Sequence, residues 1–393
     1  MIDLRGRAEL FTPVGEHCFF GYYDIPAFSA DGKRHLYLKV RFMDRMQEKD
    51  DIAEIWVHDF EEGADERVAE TTAWNFQQAC MLQWHPANPD EIIYNVRADT
   101  ECGYGAVIRN LRTGETRALD RPVANVARTG RHAVSVNFDR MFDFRPGYGY
   151  AGRRDPFFGV NHPDDDGIFV TDLSTGRSRL VVSLARVWDF CCKSHFKTDQ
   201  KIMINHITFN PSGERLVFLV RNFYAPGGIW ETAILTCDRE GRELYLLSDF
   251  AMASHYYWKN DRVLAFYSDG REVSDLGAQY YELTDLSHAG RALDPDFFVR
   301  DGHMSNSPDG NWILYDSYIF PDFTRQLYLY NPRAKKGGLL GVYRVPEVCA
   351  GDIRCDLHPV WGPDSRTISF DSVHEGFRGV YRMDLAEQME LIK

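Results

Sequence analysis

Apolar and polar residues alternate with a period of two in short runs along most of the chain. Each run stops at a cluster of Gly, Pro, Asp, Asn or Ser. This is the pattern of antiparallel strands joined by tight turns, because successive side chains of a strand point to opposite faces. Two signatures recur. The first is an apolar-aromatic run, a turn of the S-P-D-G type and a second alternating run: FSADGKRHLYLKV, WHPANPDEIIYNV, VARTGRHAVSVNF, FNPSGERLVFLV, WKNDRVLAFYS, NSPDGNWILYDS and WGPDSRTISFDS. The second is an alternating strand ending in Asp or Asn, a polar turn and a short apolar strand: IWVHDFEEGADERV, AVIRNLRTGETRAL, IFVTDLSTGRSRLV, AILTCDREGRELYLL, YYELTDLSHAGRAL, LYLYNPRAKKGGLL and VYRMDLAEQMEL. The two alternate, seven copies of each, so a repeating unit holds two hairpins and four strands.

From Gly32 to Ser365 the first turn recurs at a mean spacing of about 55 residues, the scale of a propeller blade. The prediction is an all-β, seven-bladed propeller of four-stranded antiparallel blades. It forms one domain over residues 1–393, in which each blade buries its faces against two neighbours. Helix is nearly absent from this reading, with Leu184 to Phe196 the best candidate for a short stretch of it.

The spacing is uneven once. Gly130 and Gly213 are 83 residues apart, so the third unit carries an insertion, around residues 137–200. Its start, NFDRMFDFRPGYGYAGRRDPFFG at 137–159, reads as a long loop without strand alternation. Such loops in compact domains tend to carry function. Arg140, Arg145, Arg153 and Arg154 make it the most basic short stretch of the chain, and a guanidinium matches a carboxylate in shape and charge. The competing reading is a solvated loop whose charges pair with nearby Asp residues.

Composition changes the picture in three ways. With 44% hydrophobic and 26% charged residues the chain reads as a soluble globular protein. Aromatic residues at 14% suit pleated sheets. The net charge of -13 argues against nucleic acid as a partner, since that needs a basic face to release phosphate counterions. It leaves room for a locally basic pocket that takes a small acidic ligand. No run approaches the ~20 apolar residues of a membrane span, and the N-terminus lacks the features of a signal peptide, so a cytoplasmic location is expected. The 8 Cys contain no CxxC pair and set up no disulfide framework.

Histidine supplies the candidate chemistry. Aligned on the first turn, His206, His255, His303 and His358 share one register in four successive units, where strand propensity gives no reason for His. In a propeller the first strand of each blade lines the central channel, so the register predicts four imidazoles at one level. Neutral imidazole is the commonest protein ligand for transition metals, and three or four converging suffice to hold an ion. Each His alone is more simply read as a hydrogen-bonded structural residue. At the same register the first three units carry Ile25, Met81 and Val123. Asp24, Gln77, Gln78 and Asp301 stand close enough to add oxygen or amide contacts, although Gln77 and Gln78 equally suit capping of backbone groups.

Longer motifs carry a resemblance. HPVWGPDSRTISFDSVHEG at 358–376, NHITFNPSG at 205–213 and SHYYW at 254–258 resemble the blade motifs of oligogalacturonate lyases. WNFQQACMLQW at 74–84 and RPGYGYAG at 145–152 are similar to stretches of a wider group of propeller polysaccharide lyases that includes ulvan lyases. Individual blade motifs are shared with noncatalytic propellers of the TolB type. The resemblance implies β-elimination on a uronate-containing glycan, hence an acidic oligosaccharide as substrate. It implies a divalent metal ion, Mn or Zn, held by His residues with a Gln, and a His base with an Arg nearby.

Carried over by position, His206 matches the base and His255 a metal ligand; His303 and His358 join as ligands through register. Tyr148, Arg145 and Arg140 of the insertion are the further catalytic candidates. Gln77, Gln78, Tyr150 and Asp24 are the substrate-binding ones. The family's His-x-His pair is absent, since Ser305 follows His303 in the second place. Ulvan-lyase-like enzymes resemble a version that uses His, Tyr and Arg without a catalytic metal. The alternative class is a noncatalytic TolB-like binding or scaffold propeller, in which each of the four His is hydrogen-bonded separately. No GxSxG elbow, Walker loop or HExxH favours another chemistry.

Overall fold

The computed structural model describes residues 1–223, 230–287 and 289–393; position 288 of the YYELTDLSHAGRAL hairpin lies outside the described residues. Its strands form seven sheets, six antiparallel sheets of four strands and one of five with a single parallel pairing, in the seven-bladed propeller that the repeats predict. Blade 1 comprises His17–Phe19, Arg34–Val40, Ala53–Asp59 and Ala64–Thr71. Blades 2 to 5 follow in chain order from Gln83 to Ala292. Blade 6 holds Met304–Asn306, Ile313–Asp316, Thr324–Asn331 and Lys336–Arg344, and Ile2–Asp3 pairs parallel to its last strand. Blade 7 holds Val360–Trp361, Thr367–Ser372 and Gly379–Asp384, and its fourth strand is Glu9–Leu10.

In five of the seven copies of the recurring turn the last residue sits in the left-handed region, with φ +76° at Gly213 and +73° at Gly310, where a Cβ is costly. Ser365 adopts the same conformation at +57°. In the S-x-D-G version the Ser hydroxyl donates to the Asp two residues on, at 2.6 Å both for Ser29 to Asp31 and for Ser307 to Asp309.

The chain divides into two compact units. One comprises residues 1–84, 255–259 and 294–393; the other comprises 85–254 and 260–293. In the first, alternate residues of blades 6 and 7 (Leu327 and Leu329, Ile368 and Phe370) point into one apolar core with Leu4, Leu314 and Leu340. Each contributes about 1.5–3 kcal/mol by leaving water.

In the second unit the insertion is ordered differently from the loop expected. Residues Phe138–Phe144 form a helix and Pro146–Tyr148 a 3-10 turn. The Asn137 side chain caps the helix by accepting the Arg140 N–H at 2.9 Å. Phe138, Met141 and Phe144 recur at helical spacing and are buried. A second helical stretch runs from Leu184 to His195, where the sequence places one.

Candidate functional site

Three histidine-bearing segments meet in the first unit. His255 lies on Ala253–Trp258, His303 immediately precedes Met304–Asn306, and His358 stands two residues before the start of Val360–Trp361. The ring centroids of His255 and His303 are 4.1 Å apart, and those of His303 and His358 4.3 Å. Above them stand Tyr22 and Tyr23 of GYYD, which interrupts the first strand of blade 1 between His17–Phe19 and the Phe28 bridge to His35. Tyr22 packs 5.0 Å from His358 and Tyr23 5.0 Å from His303. Gly21 permits this excursion, with φ +126° and a position where a Cβ would come within 3.0 Å of the backbone at residues 78 and 79.

Two of the three imidazoles point ligand atoms at a carboxylate that sequence reasoning missed. His303, His358 and Asp356 place one potential donor atom each within 4.8 Å of one another, and all three are buried. Asp316 fixes the tautomer of His303. Its Oδ1 accepts the His303 N–H at 2.7 Å and its Oδ2 the His358 N–H at 3.1 Å, and His303 Nδ1 lies 2.9 Å from Oδ1. With both oxygens already acting as acceptors, Nδ1 donates and the Nε2 lone pair is left facing inward.

That Nε2 and the Nε2 of His358 are buried without a hydrogen-bond partner among the described residues. Burial pushes both imidazoles well below their ordinary pKa, so they are neutral. Burial also lifts the Asp316 carboxyl to about 7. At Asp356 burial opposes the charge, yet the guanidiniums of Arg325 and, at 2.7 Å, Arg354 outweigh it and hold the carboxyl well below the usual range.

The donor set fits a divalent cation. Two neutral imidazoles with inward lone pairs and one ionised carboxylate are the ligands that Zn, Mn or Fe accept, and a buried lone pair with nothing to accept is costly. His255 stands beside this group, with both ring nitrogens engaged: Nδ1 lies 3.0 Å from Asp301 and Nε2 3.2 Å from the Tyr318 hydroxyl. The group that could hold a cation is therefore His303, His358 and Asp356, whereas His255, expected beside the two His as a ligand, is hydrogen-bonded to Asp301 and Tyr318. Asp356 is two residues ahead of His358, so its signal was the D-x-H spacing of DLH.

The second unit holds its own cluster. His206 sits in the strand Ile202–Phe209, where the pairing slips by one residue between Asn205 and Ile207 and φ is +48°. This bulge turns the imidazole out of the strand's alternation. Tyr148 meets it edge-to-face at 5.1 Å, and the Arg145 guanidinium lies over the Tyr148 ring at 4.8 Å. Three of the four catalytic candidates thus stand in one row.

The fourth does not. Arg140 is buried, paired with Asp155 at 2.9 Å and donating to the carbonyls of Ile202 and Asn161, a full set of bonds that holds the insertion to blade 4. Tyr150 also departs from the binding role expected: it is fully buried, stacked flat on Phe138 at 4.5 Å, with its hydroxyl accepting from Asn95 at 2.8 Å. Gln77 is buried and donates to the Arg354 carbonyl at 2.9 Å, the capping alternative. The backbone N–H of Gln78 donates to Asn75 Oδ1 at 2.7 Å in a tight turn. Asp24 remains partly exposed, with desolvation lifting its carboxyl to about 7.

Fold and cluster together define a β-propeller with a buried His–Asp group suited to a divalent cation. Comparison with known proteins adds the following. No protein-family model matches the chain, and no curated protein does. Among solved structures it is similar to an oligogalacturonate lyase in complex with manganese, at TM-score 0.68 and 16% identity over 99% of this chain and 98% of that one. An oligogalacturonate lyase from Vibrio parahaemolyticus follows at TM-score 0.66 and 14% identity, over 96% and 93%. The β-propeller domain of the Trilobed protease from Pyrococcus furiosus is similar at TM-score 0.50 and 9% identity, over 93% and 96%. At these identities the likeness establishes the fold.

Proposed function

We propose that the chain is a lyase that cleaves a uronate-containing oligosaccharide by β-elimination, with a divalent cation held by His303, His358 and Asp356. The observation that carries this reading is the pair of buried, inward-facing Nε2 atoms beside an ionised carboxylate. The likeness in fold to two oligogalacturonate lyases, one of them a manganese complex, supports it. In the reaction the C5–H bond breaks and its proton passes to a base. The electron pair forms the C4–C5 double bond, and the C4–O bond breaks, with the departing oxygen taking up a proton. The C5 proton is weakly acidic beside an ionised carboxylate, so neutralising that carboxylate lowers the barrier most. A bound divalent cation supplies that neutralisation.

Two sets of side chains are suited to move the proton. The resemblance assigns the base to His206, with Tyr148 against its edge and Arg145 over the tyrosine. In the first unit His255, between Asp301 and Tyr318, has the carboxylate–imidazole–phenol linkage of an activated hydroxyl. Substitution separates them. Loss of the true base costs about 10²–10⁴-fold in kcat. With φ at +48°, His206→Gly removes the imidazole and spares the backbone; it shows that loss if His206 takes the proton, and Tyr318→Phe shows it if the tyrosine does.

The reading as a whole is tested by incubating the protein with uronate oligosaccharides and following the ultraviolet absorbance of unsaturated uronate. Product that disappears on chelation or in His303→Ala supports it. If no unsaturated product forms from pectic, ulvan or glucuronate-capped oligosaccharides with Mn or Zn added, the protein is a binding propeller instead.

A further inference from the structure

The row of side chains in the second unit continues past Tyr148. The Arg145 guanidinium that lies over Tyr148 is also 5.8 Å from the centre of the Trp230 ring, and Arg221 approaches the same ring at 5.9 Å. Phe144, at the end of the insertion helix, meets the indole edge-to-face at 5.6 Å. Close guanidinium stacking in this chain is seen at 3.4 Å for Arg121 on Phe169 and 3.6 Å for Arg154 on Phe158. Both guanidiniums at Trp230 are therefore set off from close stacking, and the indole, partly exposed, reaches solvent. Arg221 is buried and donates its Nε–H to Thr232 at 3.1 Å, so it is held in place.

Arg145 differs from Arg140 and Arg153 in charge balance. Arg140 and Arg153 of the same segment pair with Asp155 and Asp139. Arg145 has no carboxylate at ion-pair distance among the described residues, in a protein of net charge -13. A partly buried cation without a counter-ion, beside an indole that reaches solvent, suits a ligand with an apolar ring face and a carboxylate on the same ring. The C–H groups of a pyranose face carry the partial positive charge that the negative face of an aromatic ring attracts. A guanidinium takes a carboxylate through two parallel N–H bonds.

We infer that Trp230 and Arg145 form a subsite for one uronate ring of an acidic oligosaccharide, with Trp230 against the apolar face of the sugar, Arg145 on its carboxylate, and Arg221 positioning the indole. The inference rests on the reading of the ligand as a uronate glycan, and binding tests it apart from cleavage. Titration calorimetry on the full chain, with a galacturonate trisaccharide and with its neutral galactose counterpart, provides the measurement.

The wild type should bind the acidic sugar at least tenfold more tightly than the neutral one. Arg145→Gln should erase that preference. Trp230→Ala should weaken binding of the acidic sugar at least tenfold, and Trp230→Phe should restore most of it, which separates a lost ring from a lost fold. Binding that depends on both residues without any unsaturated product upholds the subsite and sinks the lyase reading. Unsaturated product from variants that bind like the wild type sinks the subsite and leaves the lyase reading standing. A wild type that does not bind the acidic trisaccharide overturns the subsite.

Discussion

Asp316 holds two neighbouring segments with one carboxylate, accepting the backbone N–H of His303 through one oxygen and that of His358 through the other. It also orients the His303 ring, so Asp316→Asn should lower divalent-cation affinity about 10- to 100-fold while both ligand imidazoles remain, as calorimetry with Mn would show. His35 makes the opposite use of burial. Its ring packs among Phe11, Phe20 and Phe28 with Nε2 2.8 Å from Ser369, and desolvation pushes its pKa down to about 3. The unfolded chain takes up a proton near pH 6.5 that the folded chain refuses, so stability is full above that pH and falls as pH drops toward about 3. The slope reaches about 1.4 kcal/mol per pH unit. Urea unfolding between about pH 6.5 and 4 should show a shallower slope for His35→Gln, by up to one proton. At His358 φ is +41°, so glycine rather than alanine is the substitution that removes the imidazole and spares the backbone. The site was legible in part at this scale. Register pointed to His303 and His358, but the partners that occupy His255 are 46 and 63 residues away in the chain, and no local pattern could announce them.

The strands and their turns were legible because five of the seven first turns hold a left-handed residue (Gly32, Gly130, Gly213, Gly310 and Ser365) and each strand has a period of two, both local properties. The helix Phe138–Phe144 was missed, although the Asn137 cap and the apolar spacing of Phe138, Met141 and Phe144 carry its signal. The Gly- and Arg-rich residues that follow masked it. What the alternation does not reveal is the fifth strand of blade 6, since Ile2–Asp3 is too short to carry a period. Leu4, directly after it, is buried against Leu329 and Leu340, whereas Ile2 is 38% exposed. Leu4→Ala should therefore cost about 2–5 kcal/mol in chemical denaturation, and Ile2→Ala should stay within about 0.5 kcal/mol of the wild type.

For the molecule as a whole, a cation bound only by the folded chain stabilises it by mass action, by about 2.7 kcal/mol when the free ion is a hundredfold above its Kd. Thermal unfolding followed with increasing Mn should show a rising midpoint that chelator reverses. His303→Ala should unfold at one midpoint at every Mn concentration. The same closure that completes blades 6 and 7 also sets an order of events. Ile2 pairs with Gly338 and Glu9 with Arg382, partners more than 300 residues further along the chain. These two strands stay unplaced until those partners have been made, and until then they are open to pairing with strands of other nascent chains.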